Sequence, residues 1–343
     1  MDQKDLKVVF FGAGAIGGSV AAWIAPRYQN LFVLDQGEVA RAMKANGITI
    51  YCADARDKKE TVKVKVLDDL SQAQDADAVV ISVKNYSLDK VAKLIKDKLG
   101  DKPIILSLAN GRDNQDILPK YFSKVIYGVI AYNGWMDAPG LIGYQKKGPF
   151  IFGTPDNKLQ AEMKALADIF NLGVETVVTD HLQDAVHCKI VVNLANSATT
   201  LLGHGFCEIS DPDLFQDILT NLLHEGSEIL KANGFRECSL GGMPSWRTLW
   251  VAKSFPKFVT RPIFTKNVKK MVISSMAQDV IQRKSHETEL DSINGYIVQL
   301  ADKAGLKAPY NRAVYALCKQ EFSKPQFQPL DVKDVYAKIK ANE

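Results

Sequence analysis

Two sets of residues in this 343-residue chain have types and spacings that could do chemistry. The first is Gly12, Gly14 and Gly17, a G-x-G-x-x-G with a further glycine at Gly18. Glycines so spaced permit a tight turn, let the backbone approach a pyrophosphate and bring a following helix close to a sheet. The first N–H groups of that helix, beginning at Ala15 and Ile16, would then face the anion. The second set is Lys189, Asn193 and Ser197, at i, i+4 and i+8 and so on one face of a helix rich in apolar residues. An ammonium inside so apolar a helix needs partners or gives up its proton. The alternative is a lysine whose head reaches water past the helix surface.

The glycines lie where a nucleotide site would need them. Before them Leu6–Phe11 (LKVVFF) has no polar alternation and predicts a buried parallel strand; after them Ile16, Val20, Trp23 and Ile24 recur at helical spacing. A secretion signal would be one continuous apolar run ending in small residues, and the glycines interrupt it. Further strands are predicted at Leu31–Leu34, Ala78–Val83, Pro103–Leu108 and Lys124–Ala131, with amphipathic helices such as Leu88–Leu99 between most of them. That alternation predicts a doubly wound, mostly parallel sheet, which binds ligands beyond the carboxyl ends of its strands. This edge collects Asp35 and Gln36, then Lys84, then Asn110 with Gly111. Asp35 stands where an acid accepts from the ribose 2′-hydroxyl of NAD, or else caps the next helix. A 2′-phosphate would want an arginine at position 36, which holds Gln36, although Arg41 follows on the next helix; the pair leans to NADH. The stretch Leu141–Gly153 reads as a hairpin and Val174–Val178 as a final strand.

From about residue 180 the strand pattern fades and helices follow. Asp180 with Gln183 makes a capping box for the Lys189 helix. A long helix over Asp211–Asn233 stops at Gly234. Gly241–Val272 mixes prolines, aromatics and lysines and predicts irregular helices lining a cleft. Glu289 begins a helix with apolar Leu290, Ile293, Ile297 and Leu300, closing at Ala304-Gly305. The hydrophobic share of 46% and charged share of 24% are those of a globular protein. Net charge is +4 with no stripe of basic and aromatic residues, which argues against nucleic acid and suits a small anionic substrate. Five widely spaced cysteines without C-x-x-C suggest neither a disulfide framework nor a metal site, and a reduced cytoplasmic compartment is expected. No 18-residue apolar run predicts a membrane span. A homodimer stays open, since no heptad or apolar stripe singles out an interface.

Several motifs in order carry a resemblance. They are GAGAIGG, Val83-Lys84, Asn110-Gly111, K-x-x-x-N from Lys189 to Asn193, and SM-x-QD…TE-x-D-x-INGY from Ser275 through Thr288-Glu289 to Tyr296, trailed by AGLKAPYN. Over most of its length the chain resembles the ketopantoate reductase (2-dehydropantoate 2-reductase) family. The resemblance implies a Rossmann-type α/β domain over residues 1–180, an all-α helical domain over 181–343, and an active site in the cleft between them. It implies NADPH-dependent reduction of ketopantoate to pantoate, a step toward coenzyme A. Lys189 would be the general acid, and Glu289 would hold the substrate and steady the lysine. Ser275 would bind the 2-oxo acid carboxylate, and Asn110 and Asn193 would orient substrate and nicotinamide. Where the family often has a second asparagine, this chain has Ser197, shorter and without an N–H donor. The Ser275–Glu289 spacing is longer than usual and 241–272 looks enlarged. These departures fall on the substrate side, so a different 2-oxo acid or keto compound is the alternative substrate. A cofactor-sensing protein without turnover is the alternative outside enzymes.

Overall fold

The structure, a computed structural model, describes residues 6–239, 241 and 244–341. Gly242 and Met243 of the enlarged stretch lie outside the described residues. The chain divides into two compact units, Met1–Leu182 and Gln183–Glu343.

The first unit contains strands β1 (Val8–Phe11), β2 (Leu31–Leu34), β3 (Ile48–Cys52), β4 (Glu60–Val62), β5 (Lys65–Val66) and β6 (Ala78–Ile81). It continues with β7 (Ile104–Ser107), β8 (Val125–Ile130), β9 (Gly134–Ala138), β10 (Leu141–Tyr144), β11 (Phe150–Gly153) and β12 (Thr176–Val178). Its helices are α1 (Ala15–Ile24), α2 (Gly37–Asn46), α3 (Asn85–Leu99), α4 (Asn114–Ile117) and α5 (Gln160–Phe170). Eight strands form the main sheet in the order β12-β11-β8-β7-β6-β1-β2-β5. From β5 to β8 every pairing is parallel, and β11 joins β8 antiparallel. The chain winds outward one way through β1 and β2 and the other way through β6, β7 and β8. The reversal therefore falls between β1 and β6, where open α/β sheets hold their ligands. Every residue of β1, β6, β7 and β8 is buried, as expected for parallel strands covered on both faces. Phe10, Phe150, Phe152 and Phe170 pack at the centre, with the Phe152 and Phe170 rings 5.0 Å apart.

Leu141–Gly153 does not form the expected hairpin. β10 pairs antiparallel with β9 across a turn at Gly140 and parallel with β3, in a second sheet ordered β4-β3-β10-β9. β11 belongs to the main sheet, between β8 and β12. Both halves carry the apolar signal of a strand, but that signal does not name the partner. The deep burial of Phe150 and Phe152 draws the second half into the other sheet.

The second unit is helical: α6 (Leu182–Leu201), α7 (Pro212–Ala232), α8 (Trp246–Ser254), α9 (Lys257–Val268), α10 (Ser275–Ala277), α11 (Tyr296–Lys303), α12 (Pro309–Phe322) and α13 (Val332–Lys340). Two π-helical turns, Gln278–Gln282 and Asp291–Gly295, interrupt the region that follows α9. α7 begins as expected, with Asp211 accepting from the N–H groups of Asp213 and Leu214, and stops at Asn233 before Gly234 in a left-handed conformation. Two expectations need correction. α6 starts at Leu182, two residues beyond Asp180, whose carboxylate instead accepts from Gln160 Nε2 at 3.2 Å. The 241–272 stretch holds two regular helices, α8 and α9. Among the described residues no helix is long and apolar enough to cross a membrane, and no cluster of three metal-ligating side chains occurs.

Candidate functional site

In the first unit each glycine of the loop does a different job. Gly12 turns the chain at φ +96°, donates its N–H to Leu34 O at 2.9 Å and accepts from Ser82 Oγ at 2.6 Å. It thus fastens the end of β1 to both neighbouring strands. At Gly17 a Cβ would sit 2.1 Å from Gly12 O and 2.2 Å from Ser82 Oγ, so only glycine lets α1 pack this close. At Gly14 a Cβ would meet nothing within 4 Å. The space over Gly14 is open, and no side chain caps α1 where Ala15 and Ile16 begin it. A helix start of this kind, reached by exposed backbone, fits a pyrophosphate.

Asp35 follows β2 and does not cap α2, whose N-cap is Gln36 without a side-chain bond. Its carboxylate accepts from the N–H of Ala13 and, at 2.6 Å, from that of Gln36. The acid therefore holds the glycine loop against β2, and its oxygens retain lone pairs for a ribose hydroxyl. Gln36 and Arg41 are exposed. Lys84 is the N-cap of α3, and Asn85 Nδ2 donates to Asn110 O, joining the loops after β6 and β7. Asn114 steadies the second loop, its Nδ2 donating to Ser107 Oγ and Ala109 O at 3.2 Å each. Gly12–Gly17, Asp35, Lys84 and Asn110 all stand at carboxyl ends of strands flanking the reversal. Asn85 and Asn114 escaped sequence reasoning because side-chain-to-loop bonds leave no periodic trace.

In the second unit Lys189 and Asn193 are buried on α6, at 7% and 6% exposure, and Glu289 is buried at 6% between the two π-helical turns. Ser197 is fully buried, its hydroxyl donating to Leu194 O at 2.8 Å and accepting from Asn294 Nδ2 at 2.8 Å. These bonds use its one donor and one of its two lone pairs. On the other side of Lys189, His187 Nδ1 donates to Gln183 O at 2.6 Å, and its Nε2 accepts from the Tyr296 hydroxyl at 2.8 Å. Asn294 and Tyr296 both follow Glu289 closely, so the stretch carrying Glu289 is fastened to α6 on either side of Lys189 and Asn193. π-Helical turns add a residue to a helix and recur at functional sites; here they flank the acid. Ser275 is half-buried at the start of α10. Its neighbour Ser274 is the cap, accepting from Ala277 N–H at 3.1 Å and meeting Thr200 Oγ1 of α6 at 3.1 Å. Two adjacent serines gave no signal as to which one would cap.

The ketopantoate reductase PanE/ApbA family pattern matches residues 8–157, and the C-terminal pattern of the same family matches residues 181–321. The chain belongs to the ketopantoate reductase family. It is 27% identical over 316 residues to the 2-dehydropantoate 2-reductase of Pyrococcus abyssi, covering 92% of this chain and 97% of that one. It is 25% identical over 319 residues to that of Archaeoglobus fulgidus, covering 91% and 97%. Among solved structures, the Ralstonia eutropha ketopantoate reductase shares the fold with a TM-score of 0.69 at 23% identity, covering 98% of this chain and all of that one. D-mandelate dehydrogenase with NADH and anilino(oxo)acetate shares it with a TM-score of 0.71 at 19% identity, covering 98% and 99%. This reductase is therefore an NAD(P)H-dependent oxidoreductase acting on a CH–OH group, with a Rossmann-type unit followed by a helical one.

Proposed function

We propose that this reductase converts a 2-oxo acid to its 2-hydroxy acid, ketopantoate to pantoate being the first candidate. The observation that carries the reading is the buried face of α6 with Lys189 and Asn193, fastened on both sides to the stretch bearing Glu289. Gly12, Gly14, Ala15, Ile16 and Gly17 would hold the cofactor pyrophosphate, Asp35 and Gln36 the adenine ribose, and Lys84 and Asn110 the remainder. When bound, the reduced nicotinamide supplies a hydride. Lys189 Nζ gives a proton to the carbonyl oxygen as negative charge gathers there, and its positive charge steadies that oxygen beforehand. Glu289 accepts from a substrate hydroxyl, Ser275 Oγ donates to the substrate carboxylate, and Asn193 and Asn110 orient the reacting carbonyl.

The test is the loss of reduced-nicotinamide absorbance with purified protein, ketopantoate, and NADH or NADPH in parallel. Turnover with either supports the reading; cofactor binding without turnover sinks ketopantoate and calls for a panel of other 2-oxo acids. One observation favours such a second substrate. Where the family often has an asparagine this chain has Ser197, shorter and without an N–H donor, its hydroxyl bonded to Leu194 O and Asn294 Nδ2. The D-mandelate dehydrogenase fold neighbour, solved with anilino(oxo)acetate, makes aryl 2-oxo acids a sensible part of that panel. A sensor without turnover is disfavoured, since Lys189 and Glu289 both stand in place. Asp35 with Gln36 carries a cofactor prediction: NADH binds no more weakly than NADPH in a fluorescence titration. A tenfold preference for NADPH, about 1.4 kcal/mol, rejects it and points to Arg41.

A further inference from the structure

The chain that leaves α7 is tied down along α6 before it enters α8. Arg236 N–H donates to Asp184 Oδ1 at 2.9 Å, Cys238 N–H to Cys188 Sγ at 3.2 Å, and the Phe235 and His187 rings stack 3.6 Å apart. A cavity of about 300 Å³ remains between this stretch and the helices. Its apolar walls are Val191 and Val192 of α6, Leu223 of α7, and Trp246 and Leu249 of α8. Glu237 is the one charged group among the described residues that line it, and its Oε1 already accepts from Trp246 N–H at 2.7 Å. Ser245 Oγ is engaged as well, accepting from Thr248 N–H at 3.1 Å as the cap of α8. The walls are therefore held by the protein's own bonds, which is how most small-molecule pockets are built.

The cavity borders the face of α6 that bears Lys189. Val192 stands three residues after Lys189 and four after Cys188, and Cys188 also lines the cavity. Side chains three and four apart on a helix are neighbours, with Cβ atoms about 5–6 Å apart. Val192 is thus adjacent to the lysine on one side and to the cavity on the other. It is only half-buried, whereas Lys189 and Asn193 are buried. We propose that this cavity receives the side chain of the 2-oxo acid and selects acids whose side chain is bulky and apolar, branched alkyl or aryl. The inference rests on the reading of Lys189 as the proton donor. A carbonyl oxygen held at Lys189 Nζ lets the substituent pass Val192 and enter between Leu223 and Trp246. The indole offers an aromatic substituent an edge or a face to pack on. A methyl group would leave most of the space unfilled. A second carboxylate would meet no lysine or arginine among the described lining residues, and one acid, Glu237.

The test compares kcat/KM, with NADH, for pyruvate, 4-methyl-2-oxopentanoate and 2-oxoglutarate. The branched acid is expected to exceed the other two at least about 10-fold, since each extra methylene in an apolar pocket is worth about 10-fold or more. Cys238→Phe, at a half-buried lining position, fills the cavity and should bring the ratio of branched acid to pyruvate within about threefold. A change that only loosened the fold would lower both rates and keep their ratio. A second measurement needs no variant: NADH with 2-hydroxy-4-methylpentanoate should slow labelling of Cys238 by an aromatic disulfide reagent and leave exposed Cys207 unaffected. Turnover of pyruvate as fast as that of the branched acid overturns the proposal and leaves the 2-oxo acid reading standing. A ratio that the folded variant retains, or an unprotected Cys238, overturns it too. No turnover with any of the three acids or with ketopantoate rejects the underlying reading, and this inference with it.

Discussion

Lys189 sits at 7% exposure one turn before Asn193, and a lysine so placed can be tested apart from everything that holds the cofactor. Lys189→Ala is expected to lower kcat by about 10²- to 10⁴-fold, the span typical of a lost general acid. The Kd for NAD(P)H should stay within about twofold, because the glycine loop, Asp35 and Lys84 belong to the first unit and remain untouched. Wild-type turnover in this variant would remove Lys189 from the mechanism, and a lost cofactor affinity would mean that it acts through binding. Other residues were unequally readable. The glycines were legible because a missing Cβ has a backbone consequence at its own position: open space at Gly14, a 2.1 Å clash at Gly17. The bond from Asn294 to Ser197 was not legible, because the two lie far apart along the chain and spacing on one helix does not say which end of a face has a partner.

At the scale of elements, the joint between α7 and α12 makes a pH-dependent prediction. Glu225 of α7 accepts from the N–H groups of Tyr310 at 3.0 Å and Asn311 at 3.4 Å in the first turn of α12. Burial nonetheless outweighs these bonds and pushes its carboxyl up to about 7, from an ordinary 4.5. Between those two values the folded protein holds more protons than the unfolded chain, so stability falls as pH rises through the window and stays lower above it. From pH 6 to pH 8 the loss is on the order of 1 kcal/mol. His204 and His224, pushed down by burial, act in the opposite sense below their ordinary 6.5, so the informative comparison is with Glu225→Gln. Urea unfolding at both pH values is expected to show a smaller decline in the variant; equal declines would clear Glu225 of the effect. The sequence announced neither this joint nor the fate of Leu141–Gly153. Strands β1, β2, β6, β7 and β8 were readable because each is a short apolar run, wholly buried in all but β2, that ends in a turn. The partner of β10 is β3, some ninety residues earlier, and the acid of Glu225 meets a helix start at Tyr310; local pattern carries no record of such pairings.

Across the whole molecule the five cysteines report how tightly each unit is packed. All are free thiols: Cys207 is exposed, Cys52 and Cys238 are half-buried, and Cys188 and Cys318 are buried. Cys188, next to Lys189, accepts from Cys238 N–H at 3.2 Å, and burial pushes its thiol up to about 12. Cys318 on α12 is raised well above the ordinary thiol range by the same cause. Since the thiolate is the attacking species, these two should be inert in the native state, and burial, which raises the Cys238 thiol as well, slows that one too. With an aromatic disulfide reagent under native conditions Cys207 is expected to react first, Cys52 and Cys238 more slowly, and Cys188 and Cys318 only at the rate at which the helical unit opens. In denaturant all five should react, and a reductant added beforehand should leave the melting temperature unchanged. The decisive comparison is between Cys188 and Cys318, identified by peptide mapping. The first lies on the helix bearing Lys189 and the second beneath Ser197, whose carbonyl its Sγ meets at 3.6 Å. If the unit opens as one body, the two thiols become labelled at one rate, because a single event uncovers both. If Cys188 reacts much earlier, the face of α6 that bears Lys189 opens on its own, and the tight fastening through His187 and Asn294 is weaker than its geometry indicates.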